Sequence, residues 1–493
     1  MSADTLCDAR WLPSVGAILR HPDVQDCSAL WGTDLVCSEI RAILAELRSQ
    51  LLQRQSGKTP ESLREELLTE VLNRLRVSLR SREQSELGSV LNATGVLLHT
   101  SLGRAPLSVR ARERISECSQ NCSLEIDLGS GGRLTRGHQV ETTLRQLTGA
   151  EATLVVNNNA AATVLVLATL ATGREVLISR GELVEIGGSF RLPDIFSASG
   201  TILREVGTTN RTRIGDYERA VGPSTACLMR VHPSNFRIRG FVESATLEEL
   251  VALGRRHGIP VIDDIGSGSL VETTRWGLER EPTFQAGVAS GADLILGSGD
   301  KLLGGPQCGL IVGRADLISR MANHPLARAF RIDKLTLSAL QGTLESYRLG
   351  TQLQEIPILQ ALEQPVEHLE QRARAVMAQW AQSFEVHEVS GDELISGDWR
   401  VSVQKSVASV GGGTLADSEI PSWSLNIRHR QLSCEALAGL LRAGRPRVFG
   451  RVHRDTIWLD MRSLSPADDQ RLLLALRRLG GVNGGSDPRI TEL

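Results

Sequence analysis

Gly291-Ala-Asp-Leu-Ile-Leu-Gly-Ser-Gly-Asp-Lys-Leu-Leu-Gly-Gly-Pro-Gln-Cys-Gly309 places a lysine, Lys301, between two short apolar runs. Residues 294–296 and 310–312 have the length and character of buried strands. Gly297, Ser298 and Gly299 let the backbone approach a ligand, and Gly304, Gly305 and Pro306 turn the chain back. The expectation is a lysine on a glycine-rich turn between buried strands. Such a lysine loses its charge readily, and a neutral amine is a nucleophile. The chain has 55 Lys plus Arg but only four lysines, Lys58, Lys301, Lys334 and Lys405. Arginine stays protonated and cannot form a Schiff base. Lys301 therefore reads either as an amine kept for chemistry or as a cation on a surface loop. A P-loop does not fit: Asp300 precedes Lys301 and Leu302 follows it, which breaks the G-x-x-x-x-G-K-[ST] spacing.

Outward from this turn, short apolar runs alternate with helix-length segments from Val90 to about Arg348. Strands are predicted over 153–156, 175–178, 201–205, 226–231, 260–262, 294–296 and 310–312. This βα alternation predicts an α/β fold, a mostly parallel sheet with helices on both faces. Ligands in such sheets sit beyond the carboxyl ends of the strands. Four of those ends carry polar residues. Asn157-Asn158-Asn159-Ala160 opens a helix, either as a phosphate site or as an ordinary cap with Asn159 in the capping position. His232-Pro233-Ser234-Asn235 is a polar turn. Asp263-Asp264 ends a buried strand, where carboxylates need a cationic or hydrogen-bonding partner. Ser298-Gly299-Asp300-Lys301 is the fourth.

A helix N-terminus for a phosphate, a carboxylate for a pyridinium nitrogen and a lysine for an aldehyde together point to pyridoxal phosphate. Their order is that of the aspartate-aminotransferase-like fold (fold type I). Roughly a hundred residues separate Asn159 from Asp264, and under forty separate Asp264 from Lys301.

The remaining chain divides into two flanking parts. Residues 1–85 read as helical. One helix runs from Thr33 or Asp34 to about Arg54, and Thr59-Pro60 starts another. Arg74, Arg76, Arg80 and Arg82 crowd the end of the second, either as a solvated helix end or as a phosphate-contacting patch. With 11 basic and 13 acidic side chains in residues 1–90, the charge count favours the solvated end. Residues 349–493 read as a helix over 353–380 followed by a small α+β domain, in which Arg442, Arg445, Arg447, Arg451 and Arg454 lie close together. The catalytic part is expected over 86–348. A net charge of -2 gives no global pull toward nucleic acid or membrane. The start, with Asp4 and Asp8, has no apolar core of a signal peptide, and the longest apolar stretch, 160–171, is too short to span a bilayer. Eight scattered cysteines without a CxxC pair fit reduced thiols, no metal site and a cytoplasmic protein.

Several strings then match one family. They include Leu91-Asn-Ala-Thr-Gly-Val-Leu-Leu-His99-Thr-Ser-Leu-Gly-Arg104, Val155-Val-Asn-Asn-Asn-Ala-Ala-Ala162 and Ser179-Arg-Gly-Glu-Leu-Val-Glu-Ile-Gly-Gly-Ser-Phe190. Glu205-Val-Gly-Thr-Thr-Asn-Arg-Thr212, Val231-His-Pro-Ser-Asn-Phe236, Asp264-Ile-Gly-Ser-Gly268 and Ser298-Gly-Asp-Lys-Leu-Leu-Gly-Gly-Pro-Gln307 continue the match, as do Arg328-Ala-Phe-Arg-Ile-Asp-Lys-Leu-Thr336 and Ile420-Pro-Ser-Trp423. The sequence resembles bacterial selenocysteine synthases, L-seryl-tRNA(Sec) selenium transferases, over essentially its whole length. It departs from the family pattern at residues 129–136, at His138 and at Phe236. The resemblance implies a pyridoxal-phosphate enzyme converting seryl-tRNA(Sec) to selenocysteinyl-tRNA(Sec) with selenium from selenophosphate. It implies Lys301 as the catalytic lysine and Asn158, Asn159, Ala160, Asn235, Asp264 and Ser298 around the cofactor. It implies His99, Arg104, Arg328 and Arg331 at the selenophosphate, and a ring-shaped homo-oligomer. It also reverses the reading of Arg74, Arg76, Arg80 and Arg82, making residues 1–85 a tRNA-binding domain. Shorter relatives of the catalytic core, lyases acting on small amino-acid or amino-sugar substrates, are the alternative.

Overall fold

A computed structural model describes residues 5–6, 11–51, 55–56, 59–85, 87–186, 190–384 and 388–480. Lys58, Cys7 and most of residues 1–10 lie outside this set. The described chain falls into two units that divide between Ser89 and Val90.

The first unit is helical. Pro22 occupies the first turn of α1 (Pro22–Trp31), a position that needs no N–H donor. In α2 (Thr33–Leu51), Val36, Ile40, Ile43, Leu44, Leu47 and Leu51 recur at helical spacing and are buried. Pro60 starts α3 (Pro60–Ser85) where Thr59-Pro60 predicts it. Val71, Leu75 and Leu79 of α3 share a core with Ile40, Ile43 and Leu47 of α2.

The second unit begins with β1 (Val90–Ala93) and α4 (Val109–Cys118). Then come β2 (Ala152–Val156), α5 (Asn159–Leu170), β3 (Glu175–Ser179), β4 (Ile202–Val206) and β5 (Thr225–Val231). β6 (Val261–Gly266), β7 (Leu294–Ser298) and β8 (Gly309–Gly313) complete the first sheet. The seven apolar runs predicted as strands are its seven strands, in the order β2-β8-β7-β6-β5-β3-β4. All pairings are parallel except those of β8, which is antiparallel to both β7 and β2. The glycine-rich stretch around Lys301 is thus a tight return between antiparallel neighbours, whereas the parallel strands are joined by crossovers. β7 and β8 are buried at every position, as their unbroken apolar and glycine composition requires.

Next is α6 (Lys334–Leu349), whose Gly342 approaches α4 so closely that a Cβ there would lie 2.7 Å from Ala111 Cα. The single helix expected over 353–380 is instead three: Gln352–Glu355, Pro357–Glu363 and α7 (Val366–Ala381). Pro357 and Pro365 each lack the N–H that a continuous helix would use. The second sheet contains β9 (Glu388–Ser390), β10 (Glu393–Ser396), β11 (Trp399–Ala408), β12 (Ile420–His429), β13 (Arg447–His453) and β14 (Thr456–Asp460). Its order is β9-β10-β11-β12-β14-β13-β1, so β1 from the start of this unit forms an edge. Helices α7, α8 (Cys434–Ala443) and α9 (Asp469–Gly480) bury one face of that sheet around Trp380, Trp399, Leu425 and Ile457.

The segment after β1 runs from the second sheet to the carboxyl ends of the first. Leu97 and Leu98 N–H donate to Ser409 and Val410 carbonyls, and Ala105 N–H donates to Asp300 O. This path brings His99 and Arg104 to the lysine turn.

Candidate active site

Lys301 is 3% exposed, and its Nζ lies 3.4 Å from the Gly266 carbonyl at the end of β6. Burial and the Arg104 cation hold the amine below the ordinary lysine range, against the attraction of Asp300, Asp264 and Glu281. The surface-loop reading is therefore excluded. Two other lysines have described side chains. Lys334 donates to the Ser119 carbonyl, and Lys405 is exposed with its ammonium 6.0 Å from the Trp423 ring centre. Gly268 seats the turn: its φ is +66°, and a Cβ there would lie 2.0 Å from the Ser298 carbonyl oxygen.

Asp263 and Asp264 are both buried and point to different partners, as adjacent strand residues must. Asp263 accepts two hydrogen bonds from Arg230, at 2.7 and 3.0 Å, across the β5–β6 pairing. Asp264 accepts from Asn159 Nδ2 at 2.9 Å, from Gly266 N–H at 3.0 Å and from Thr163 Oγ1 at 3.3 Å. Burial pushes Asp264 up from the ordinary carboxyl value, while the Asn159 and Gly266 bonds and Lys301 pull it down. A cation beside it would favour its charged form further.

The helix cap falls one residue earlier than expected. Asn158, not Asn159, caps α5, its side chain accepting from Ala161 N–H at 2.8 Å. Asn159 instead opens the helix and sends its side chain to Asp264. The first amides of α5, on Asn159 and Ala160, have no acceptor within the helix. Gly309 pairs with Ser298 and packs so tightly here that a Cβ would lie 2.2 Å from Asn158 O. Ser298, 6% exposed, thus stands one strand away from the helix opening.

Arg104 holds Asp300, the neighbour of Lys301, through an ion pair of 2.8 Å. Its φ of +60° is uncommon for a side chain of this size and costs of order 1 kcal/mol. His99 lies five residues earlier and accepts Arg104 N–H on its carbonyl; its buried Nδ1 has no partner. Arg328 and Arg331 do not share a helical face: the short helix ends at Ala329, and Arg331 bridges Val156 at the end of β2. Nor do they pair with Asp333, whose carboxylate caps α6 through Leu335 and Thr336 N–H. Both arginines are exposed. Desolvation and the nearby Arg136 and Arg328 cations lower Arg331 from its ordinary value. Asn235 is exposed and donates to the Glu185 carbonyl at 2.8 Å, so the structure does not bring its side chain to Lys301.

In the first unit, Arg74 pairs with Glu70 at 2.7 Å, Arg76 with Asp23 and Arg82 with Glu39. The side chain of Arg80 lies outside the described set.

Four residues here escaped the sequence reading. Thr163 stands one helical turn after Asn159, and that spacing could have revealed it. Arg230 is a cation in an otherwise apolar strand, which signals a buried partner. Glu281 is 3% exposed, takes Leu415 N–H on Oε1 at 3.0 Å and has His232 Nε2 3.5 Å from Oε2. Neither Glu281 nor Arg136 carries a local signal. Glu281, His232 and Arg230 line a cleft of about 1030 Å³, and Lys301 is not on its wall.

The donor set suits pyridoxal phosphate. A buried amine held below the ordinary lysine range, a buried carboxylate locked by three donors and a helix opening flanked by Ser298 converge around Gly266, and the buried Asn159 Oδ1 and Ser267 Oγ find no partner within the protein.

Residues 90–465 match the family model for SelA, L-seryl-tRNA selenium transferase. The L-seryl-tRNA(Sec) selenium transferase of Moorella thermoacetica is 46% identical over 97% of this chain and 98% of its own. That of Carboxydothermus hydrogenoformans is 42% identical over 92% and 94%. Among solved structures, D-glucosaminate-6-phosphate ammonia-lyase aligns with a TM-score of 0.54 at 20% identity, over 81% of this chain and 97% of that one. That likeness supports the fold alone.

Proposed function

The chain belongs to the L-seryl-tRNA(Sec) selenium transferase family, and from that membership we propose how its residues divide the work. The reaction is conversion of seryl-tRNA(Sec) to selenocysteinyl-tRNA(Sec), with pyridoxal phosphate as cofactor on an aspartate-aminotransferase-like fold. When bound, the cofactor supplies an electron sink that lets the serine α-proton and β-hydroxyl leave.

Lys301 would hold the cofactor's aldehyde, and its buried Nζ, kept below the ordinary lysine range, would take the serine α-proton. Asp264, fixed by Asn159, Thr163 and Gly266 N–H, keeps a proton on the ring nitrogen. The amides of Asn159 and Ala160, ordered by the Asn158 cap and joined by Ser298, bind the phosphate. Arg104, Arg328 and Arg331, with His99, bind selenophosphate, because forked guanidiniums match a compact polyanion. The exposure of Arg328 and Arg331 and the use of Asp333 as a helix cap support this role over structural ion pairing.

The helical first unit binds the tRNA, with Arg74, Arg76 and Arg82 exchanging carboxylate partners for phosphates and Arg80 joining them. The chain assembles into a ring-shaped homo-oligomer and works in the cytoplasm. Among the described residues, no helix is long and apolar enough to cross a membrane.

The observation that carries the chemistry is the buried Lys301 amine beside Asp264. The test is to incubate the protein and cofactor with tRNA(Sec) charged with labelled serine, plus selenophosphate. Labelled selenocysteine recovered from the tRNA is the expected product. Unchanged serine, with deamination of a free amino-sugar acid instead, would assign the chain to small-substrate lyases.

A further inference from the structure

The second sheet has one face under helices and one face open. Cross-strand pairing puts Arg451, Trp458 and Asn426 in one row of the open face, with Arg400 and Arg428 paired in the next. Arg400, Arg428, Arg451 and Arg454 are exposed. Arg451 lies over Trp458, 5.4 Å from its ring centre, and His453 meets the same ring edge-on at 5.9 Å.

Two donors on this face are unsatisfied. Asn426 is 3% exposed, and Ser424 Oγ donates to its Oδ1 at 2.8 Å, which leaves its Nδ2 buried beneath the surface. Neither that Nδ2 nor Trp458 Nε1 has an acceptor within the protein. Arg400, Arg451 and Arg454 form no ion pair among the described residues, although many other arginines in this chain do. The acidic groups nearby are few. Asp460 is buried and takes the hydroxyls of Ser406 and Ser422, Glu393 lies at the β10 edge, and Asp455 sits in the β13–β14 turn. The surface therefore offers exposed cations and an aromatic face, with the exposed carboxylates of Glu393 and Asp455 at its margins. Its complement is a polyanion rich in acceptors with planar groups to stack.

We propose that this face, centred on Arg451 and Trp458 and flanked by Arg400, Arg428 and Arg454, is a docking surface for the RNA of the substrate. The arginines take phosphates, and the half-buried Trp458 ring packs on an unpaired base or ribose. The proposal rests on the tRNA-dependent reading above and adds a contact surface apart from the helical first unit.

The test uses the full chain, an uncharged tRNA(Sec) transcript and fluorescence anisotropy at several salt concentrations. A variant combining Arg400→Ala, Arg451→Ala and Arg454→Ala should keep its cofactor absorbance and native mass. It should lose about tenfold or more in affinity, and its log affinity–log salt slope should flatten by about 2–3. Trp458→Leu, with the arginines intact, should weaken binding severalfold without changing the slope. Parent-like affinity and slope in the arginine variant would overturn the proposal. So would a variant that falls apart into smaller species while each still binds RNA, which would make this face a subunit contact. If the parent chain itself failed to bind the transcript, the tRNA-dependent reading would fall, and this proposal with it.

Discussion

Two adjacent carboxylates, Asp263 and Asp264, illustrate what sequence could and could not say about single residues. Strand alternation shows that they face opposite ways, but only the fold reveals that Arg230 claims Asp263 while Asn159, Thr163 and Gly266 N–H hold Asp264. The two should fail differently. Asp264→Asn should cut the single-turnover elimination rate by about a hundredfold or more, because the ring nitrogen loses its anionic partner. Asp263→Asn should largely spare the rate but cost about 1–3 kcal/mol of stability, since it leaves the half-buried Arg230 guanidinium without its anion. Single-turnover assays and thermal melts on both variants would expose the reverse ranking. Lys301 adds a pH signature. A protonated amine cannot attack the cofactor, and the fold holds this amine below the ordinary lysine value of 10.5. Cofactor loading should therefore rise with pH and level off below that value. A loading profile with its midpoint at the ordinary value would show that the amine is not desolvated. Lys301 was legible because lysine is scarce here and the flanking runs are short. Glu281 and Arg136 were not, because their partners come from distant segments.

At the scale of elements, strands were easier to read than helix ends. The inner runs of the first sheet, β5 to β8, are buried on both faces, so their composition alone marks them, whereas β4 at the edge is partly exposed. The breaks at Pro357 and Pro365 were signalled by the prolines themselves, whereas the cap at Asn158 instead of Asn159 depended on backbone directions that composition leaves open. The turn after β6 gives a sharp test. Gly268→Ala would force a Cβ to within 2.0 Å of the Ser298 carbonyl, displacing the strand end that carries Lys301. We expect cofactor binding to be lost. Gly277→Ala, at φ +69° but in open space, should cost only about 1–2 kcal/mol and keep the cofactor. Equal cofactor retention in the two would show that the close approach does not matter. Glu355 tests how the helices behind the site are joined. It takes two bonds from Arg110 of α4, at 3.0 and 2.8 Å, and one from Ser346 Oγ of α6 at 2.6 Å. These bonds lower its carboxyl from the ordinary 4.5 to about 2. A depressed carboxyl stabilises above its unfolded value, and that stability is lost as pH falls through the folded one. Glu355→Gln should melt earlier than the parent at neutral pH, with the gap closing between about 4.5 and about 2. A gap that persists in strong acid would assign the loss to packing.

For the whole molecule, the division between a helical first unit and the rest was visible in the change of periodicity near Val90. The placement of β1 in the second sheet was not, because a four-residue strand pairing with β13 leaves no local trace. That pairing carries His99 and Arg104 from one sheet to the lysine turn of the other. Exposed apolar side chains such as Leu128 and Phe241 fit a chain that buries more surface on assembly. Light scattering of the purified protein should accordingly give a mass of several chains, whereas a monomer would refute the ring assembly. The central claim is narrower and can be tested in one measurement. Borohydride reduction of the protein loaded with pyridoxal phosphate, followed by peptide mapping, should find the pyridoxyl group on Lys301 alone. Label on Lys58, Lys334 or Lys405, with Lys301 unmodified, would contradict the site described here.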